Sequence, residues 1–421
     1  MADKIVIHGG IPLNGEVSIS GAKNAALGIL PAAILADTPM VIDNLPDIQD
    51  VNIYVTMLEK LGATLTREGD RLTVDPSGIR FENVDKIVEE ATKLRASYYI
   101  LGAFLSRFRK GRQPLPGGCP IGERPINLHI MAFESLGARV QITETMISME
   151  ADELSGADIT FDPVSVGATI NAMLASVKAK GTTVLRNAAK EPHVVDIANC
   201  LNLMGARISG AGTDTIKIKG VDSLRGVVYS VVPDQIQAGT YMIAAAATCG
   251  NILVRNIIPE HLESLTAKLR EMGNEVTEYD DSIRVIGRRP LLPVNIKTMP
   301  HPGFPTDLQQ PMGVLMCLAE GQSRITESIF EKRFEYVGQL VKMGADAHLR
   351  TENVAVFNGV DHLEGAVIEA TDLRAGAAMV IAGLAAKGTT EVLNLEHIER
   401  GYVDLVENFR ALGADIARVS G

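Results

Sequence analysis

Three kinds of hydrophobic patterning alternate along the chain. Runs such as Val51 to Leu61 and Leu265 to Met272 place apolar residues on one stripe at helical spacing, which predicts surface helices packed on a core. Segments such as Asp214 to Lys219 and Glu352 to Phe357 alternate polar and apolar positions, which predicts half-buried strands. A third class is rich in Ala and Gly with scarcely any polar face: Asn24 to Ala36, Gly239 to Thr248 and Arg374 to Ala386. A helix of that composition is surrounded by protein, and small side chains let several pack closely.

These classes recur in a fixed order. The phrase Leu/Met-Gly-Ala/Asn closes an amphipathic run six times, with its glycine at Gly62, Gly137, Gly205, Gly273, Gly344 and Gly413, roughly 70 residues apart. Each glycine is placed to supply the positive-φ residue that ends a helix. An apolar helix precedes each amphipathic one, and two strands follow each of the first five glycines. Buried helices with half-polar strands predict helices inside and sheets outside, the reverse of a barrel ringed by helices. A purely helical solenoid does not fit units of mixed α/β pattern.

The last unit has only one strand after Gly413. The strand patterns at Asp3 to Gly10 and Leu13 to Ser20 are read as its missing strands, so the N-terminus completes the sixth unit. The expected organisation is two lobes of three units each, residues 21–229 and residues 1–20 with 230–421, joined by two chain crossings.

At 421 residues the chain is long enough for two or three domains, and 46% apolar with 22% charged residues is a folded composition. No apolar stretch reaches the roughly 18 residues of a membrane span, and no export signal is read at the N-terminus, so a cytoplasmic protein without membrane partners is expected. A net charge of −11 and the absence of Trp argue against nucleic acid. The four cysteines are scattered without metal-ligand spacing, so no zinc site is expected and the thiols are read as reduced.

If the six apolar helices are equivalent, their first turns correspond: Lys23-Asn24, Arg95-Ala96-Ser97, Gly167-Ala168-Thr169, Ala238-Gly239-Thr240, Thr306-Asp307 and Arg374-Ala375. Free amides at helix starts favour anions, and Lys23, Arg95 and Arg374 add positive charge, which suits a ligand carrying phosphates or a phosphate and a carboxylate. Asp307 follows Pro305 and can be read as a helix-stabilising acid or as an acceptor for a substrate hydroxyl proton. Residues 111–125 carry four Gly and four Pro, a composition that predicts an irregular lid. Cys119 lies in it, with Arg109, Lys110, Arg112 and Arg124 nearby to activate a thiol. Cys200, Cys249 and Cys317 lie in apolar helical runs and are read as buried. Gly210-Ala211-Gly212 sits between strands without a third glycine or a following helix, and is no dinucleotide fingerprint. Among the histidines only His129, near the lid, draws attention.

Taken together, Ser20-Gly21-Ala22-Lys23-Asn24-Ala25, Leu94-Arg95-Ala96-Ser97, Leu115-Pro116-Gly117-Gly118-Cys119, Gly122-Glu123-Arg124-Pro125, Val164-Ser165-Val166-Gly167-Ala168-Thr169, Phe304-Pro305-Thr306-Asp307, Thr371-Asp372-Leu373-Arg374 and Arg400-Gly401-Tyr402 resemble the UDP-N-acetylglucosamine enolpyruvyl transferases over essentially the whole chain. The resemblance implies a two-lobed inside-out α/β barrel of the EPSP-synthase type. It also implies transfer of enolpyruvyl from phosphoenolpyruvate to the sugar 3-hydroxyl with release of phosphate, using no cofactor and no metal. It makes Cys119 the proton donor and fosfomycin target, Asp307 the base, and Lys23, Arg124 and Arg400 the cations that neutralise phosphoenolpyruvate. Asn24, Arg95, Arg124, Pro125, Ile126, Asn127, Leu128, Ser165, Val166, Gly167, Ile329 and Arg374 are implied as further substrate contacts. Pro163 stands where relatives often carry a basic residue, implying one nucleotide contact missing or made otherwise. A shikimate-type enolpyruvyl transferase and a non-catalytic nucleotide-sugar-binding paralogue are the alternatives; the Pro-Gly-Gly-Cys lid opposes the first and the intact Lys23, Cys119, Asp307 and Arg400 oppose the second.

Overall fold

The computed structural model describes residues 3–115 and 125–420, so Cys119, Arg124 and the rest of the expected lid tip lie outside the described residues. The chain forms two compact units and passes between them at Ser20–Gly21 and Val232–Pro233. We call the part between the crossings the middle unit. The terminal unit combines the first 20 residues with everything after Val232.

Each unit is built on three apolar helices. Those of the middle unit are Lys23–Ala32, Tyr99–Phe108 and Val166–Ser176, and those of the terminal unit are Gln235–Ala247, Gln309–Met316 and Leu373–Ala385. Every residue of Gln309–Met316 is buried, as is all but one of Gln235–Ala247. Small residues set the spacing. A Cβ on Gly102 would lie 2.5 Å from the Asn171 carbonyl oxygen, so only glycine lets those two helices meet. One helix start differs from expectation: Asp234 caps the fourth helix by accepting from the amides of Ile236 and Gln237, so its first turn is Gln235–Gln237 and Ala238-Gly239-Thr240 lies a turn further in.

The six repeated glycines all have φ between 85° and 114°. After each, the next amide reaches back to the carbonyl five residues earlier, Ala63 to Leu58, Ala138 to Phe133, Ala206 to Leu201, Asn274 to Leu269, Ala345 to Leu340 and Ala414 to Phe409, at 2.9–3.1 Å. This is the Schellman termination, repeated six times.

Among the described residues there are six sheets, none closed into a barrel. Five share one plan. The strand after the apolar helix (Met40–Asp43, Thr182–Arg186, Asn251–Arg255, Gln322–Thr326 or Thr389–Leu393) takes a parallel edge strand on one side and the antiparallel post-glycine pair on the other. Lys4–His8 lies between Thr389–Leu393 and Asp415–Val419, with Ile7 opposite Thr390 and Ile416. The first N-terminal strand therefore completes the last unit's sheet, but the second does not: Asn14–Ser18 runs parallel to Asn251–Arg255 in another sheet.

The sixth sheet, Lys110–Pro114 with Met146–Glu150 and Arg139–Ile142, has no parallel edge strand. Helical turns over Phe81–Ile87 and Val88–Lys93 pack beside Lys110–Pro114 instead, and Arg112 pairs with Asp85 at 3.2 Å. The expectation of no regular element over 111–125 is thus corrected at its start, where ladder pairing with Met146–Glu150 outweighs the Gly and Pro content. Cys249 is a second correction. It is exposed, in a positive-φ turn just past the Gln235–Ala247 helix, whereas Cys200 and Cys317 are buried. Burial pushes the Cys317 thiol up to about 12. No described helix is long and apolar enough to cross a membrane.

Candidate active site

In the middle unit the expected residues gather at helix starts. Lys23 opens its helix, 9% exposed, and its ammonium lies 2.8 Å from the Asp50 carboxylate, itself buried in the first turn of the Gln49–Leu61 helix. A cation in a helix's first turn opposes the dipole; Asp50 offsets that cost and fixes the side chain. Asn24 follows, half-buried. Arg95 lies in the 3-10 turn Arg95–Tyr98 that leads into Tyr99–Phe108, with its guanidinium 5.8 Å from the Tyr98 ring centre, and burial lowers its pKa.

Pro125 and Ile126 precede the Asn127–Ser135 helix, whose first turn holds Asn127 and Leu128. Pro125 and Asn127 are exposed, while Ile126 and Leu128 are half-buried. Ser165 caps Val166–Ser176 by accepting from the Ala168 amide at 3.2 Å, and Val166 and Gly167 form its first turn. His129 ties these pieces together. Asn171 donates from Nδ2 to His129 Nδ1 at 3.0 Å and to the Tyr98 carbonyl at 2.9 Å, and accepts from the Gly102 amide at 2.9 Å. The imidazole also lies tilted against the Tyr98 ring, with centres 5.7 Å apart, and a Cβ on Gly167 would meet it at 3.1 Å. The starts of three helices, carrying Arg95, Leu128 and Gly167, therefore converge on one imidazole. With Nδ1 accepting, the ring's proton sits on Nε2.

In the terminal unit the centre is Asp307, in the 3-10 turn Thr306–Leu308 that follows Pro305. Its Oδ1 accepts from Arg333 Nη1 at 2.9 Å and its Oδ2 from Arg374 Nε at 3.2 Å. Both guanidiniums are almost fully buried, whereas the Asp307 side chain is 23% exposed. Two buried guanidiniums therefore fix the orientation of a carboxylate that keeps part of its surface exposed. Burial opposes the charge on Arg374, but Tyr402, Asp307 and Asp234 outweigh it and hold its pKa above the ordinary value. Tyr402 lies 5.3 Å under that guanidinium, with its hydroxyl 3.1 Å from Thr240. Arg400 is half-buried at the end of the Glu396–Glu399 turn, two residues before Tyr402. Ile329 is half-buried, its amide held at 2.8 Å by Glu327.

Asp50, Asn171, Arg333, Tyr402 and Glu327 are absent from the residues singled out by sequence. Asp50 reads there as an ordinary first-turn acid, and Arg333 as one charge in Glu331-Lys332-Arg333; neither spacing points to a partner elsewhere in the chain. Tyr402 stands in one of the matching stretches, but nothing marked it as support for Arg374. No group of three His, Cys, Asp or Glu side chains among the described residues could hold a metal ion.

The fold and these helix starts define an enolpyruvyl transferase of the EPSP synthase class: the family described as EPSP synthase (3-phosphoshikimate 1-carboxyvinyltransferase) matches residues 7–409, and the chain belongs to it. Within that class the similarity to curated relatives is specific. The chain is 56% identical over 417 residues to UDP-N-acetylglucosamine 1-carboxyvinyltransferase 3 of Caldanaerobacter subterraneus subsp. tengcongensis, covering 99% of each chain. It is 54% identical over 418 residues to UDP-N-acetylglucosamine 1-carboxyvinyltransferase of Clostridium botulinum, covering 99% of this chain and 100% of the relative. Among solved structures, the enolpyruvyl transferase NikO from Streptomyces tendae superposes with a TM-score of 0.89 at 28% identity, covering 100% of this chain and 99% of NikO. EPSP synthase from Acinetobacter baumannii, at 18% identity and a TM-score of 0.76 over 99% of this chain and 100% of its own, shares the fold.

Proposed function

We propose that the protein transfers the enolpyruvyl group of phosphoenolpyruvate to the 3-hydroxyl of UDP-N-acetylglucosamine, releasing phosphate, as an early step of peptidoglycan synthesis in the cytoplasm. The observation that carries this reading is the Asp307 carboxylate, gripped by Arg333 and Arg374 yet partly open, in a chain more than half identical to full-length relatives of that name. Asp307 takes the proton of the sugar hydroxyl as its oxygen bonds to C2 of phosphoenolpyruvate. Cys119 gives a proton to the methylene carbon, producing a tetrahedral phospho-ketal. Loss of a methyl proton then expels phosphate and restores the double bond. Lys23, Arg124 and Arg400 neutralise the phosphate and carboxylate of the donor, and fixed cations of this kind stabilise charge that grows on the leaving group. Asn24, Arg95, Pro125 to Leu128, Ser165 to Gly167 and Ile329 bind the donor or the nucleotide sugar. Cys119 is also the thiol that fosfomycin alkylates.

Arg374, expected among the substrate contacts, also supports the base. At 2% exposure, with its guanidinium on Asp307 and over Tyr402, it orients the base. The deciding experiment measures phosphate release from phosphoenolpyruvate with either acceptor. Release with UDP-N-acetylglucosamine and none with shikimate 3-phosphate is expected; the reverse preference, or tight binding without release, overturns the proposal. Asp307→Ala should lower kcat by about 100-fold or more while leaving phosphoenolpyruvate binding close to that of the parent. Normal turnover would remove Asp307 from the mechanism.

A further inference from the structure

The repeat contains one exception that falls beside Asp307. Four strands that follow an apolar helix end on an asparagine in the left-handed region: Asn44, Asn187, Asn256 and Asn394, with φ between 51° and 62°. The first three donate from Nδ2 to the carbonyls of Val231, Phe161 and Ile19, at 2.6–2.8 Å, tying the strand end to the chain just beyond the parallel edge strand. The strand Gln322–Thr326 ends instead on Glu327, only 2% exposed. A carboxylate there can only accept, and burying it costs free energy that an amide would not. Asparagine does the sheet-closing work at three of the equivalent strand ends, so closure alone does not account for an acid.

What Glu327 accepts accounts for it. Its Oε1 takes the Thr298 hydroxyl at 2.7 Å and the Ile329 amide at 2.8 Å, and its Oε2 takes the Thr306 hydroxyl at 2.8 Å. Because the Thr306 hydrogen points at Glu327, the same oxygen offers a lone pair to Arg333 Nη1 at 2.8 Å, and that nitrogen also reaches Asp307 Oδ1 at 2.9 Å. We infer that Glu327 is a positioning residue for the transfer reaction: through Thr306 and Arg333 it sets the orientation of Asp307, and through the Ile329 amide it sets the adjacent loop. This rests on Asp307 being the base.

The test is Glu327→Gln, which keeps one acceptor oxygen and the shape but turns an amide towards Thr306, so that the threonine loses its acceptor and its lone pair is contested. With the protein folded and its melting temperature near that of the parent, kcat should fall by on the order of 100-fold, the loss that misplacing a reacting group produces. KM for phosphoenolpyruvate should stay unchanged and KM for UDP-N-acetylglucosamine should rise. A folded Glu327→Gln with parental kcat overturns the inference, as does a loss shared equally by kcat and both KM values. Should Glu327→Gln fail to fold, Thr306→Val carries the same test, with the same fall in kcat expected and Thr306→Ser expected to restore it; parental kcat in Thr306→Val overturns the inference. Asp307→Ala keeps the two readings apart. If it is inactive while Glu327→Gln is normal, only the positioning role fails; if it is itself normal, the assignment of the base fails.

Discussion

Asp196 lies in the Pro192–Met204 helix, 2% exposed, and holds the end of the middle unit. The Tyr229 hydroxyl donates to its Oδ1 at 2.5 Å and the Val232 amide to its Oδ2 at 3.3 Å. Burial pushes the carboxyl up to about 6, against the partial relief those two donors give. Between about pH 4 and pH 6 the folded protein therefore keeps a proton that the unfolded chain has given up. The stability tied to that proton is fully present below pH 4 and is lost as pH rises through 6, a change of about 3 kcal/mol. Asp196→Asn keeps an acceptor for Tyr229 but cannot ionise. Its melting temperature relative to the parent should thus rise by roughly 5 °C between pH 4 and pH 7, and a difference that does not move with pH would count against this account. The acid was invisible in the sequence, since Val194-Val195-Asp196-Ile197 reads as an amphipathic helix with a polar face. The cations were visible at Lys23, Arg95 and Arg374 because the repeat aligned them, whereas their partners Asp50 and Asp307 needed the fold to be matched to them.

At the scale of the element, the recurring glycine was the most legible feature, because a helix that ends on a left-handed residue has few sequence solutions. The cost of replacing it should still differ from unit to unit. At Gly344, φ is 85° and an added Cβ meets nothing within 4 Å, so Gly344→Ala pays only backbone strain, about 1–2 kcal/mol. At Gly62, φ is 112° and the same Cβ would lie 2.3 Å from the Gly78 carbonyl oxygen. Gly62→Ala should therefore cost clearly more, and Gly344→Asn less than Gly344→Ala, since asparagine tolerates the left-handed region. Thermal or denaturant unfolding of the three variants checks this order; equal losses at Gly62 and Gly344 would show that strain alone matters. Less legible was the Phe81–Lys93 segment, where the repeat calls for an edge strand. Glu82, Glu89 and Glu90 lie in the first turns of its helical stretches and Lys86 and Lys93 in the last, a charge order that favours helix, and a six-fold pattern gives no warning of a local substitution.

At the scale of the whole molecule, the crossings show why counting repeats assigned one N-terminal strand correctly and misplaced the next. In the sheets built on Thr182–Arg186, Gln322–Thr326 and Thr389–Leu393, the parallel edge strand precedes an apolar helix and pairs with the strand that follows it, an ordinary β-α-β crossover. At the two crossings this rule is broken reciprocally. Asn14–Ser18 precedes Lys23–Ala32 yet pairs with Asn251–Arg255, while Val228–Ser230 precedes Gln235–Ala247 yet pairs with Met40–Asp43. Each strand stays in the unit it is leaving, and among the described residues the chain passes over just before a helix begins. No local pattern encodes this, because either pairing satisfies the same alternation of buried and exposed positions. Energetics distinguishes them. Val17 lies opposite Val254 and both are buried, so the pair Val17→Ala and Val254→Ala should show a coupling of about 0.5–1 kcal/mol in a double-mutant cycle of unfolding. Val17→Ala and Ile42→Ala, which would be neighbours under the regular crossover, should add within about 0.5 kcal/mol. Coupling to Ile42 in place of Val254 would mean that the strands are not exchanged, and with that the division of the chain at Ser20 and Val232 would fail.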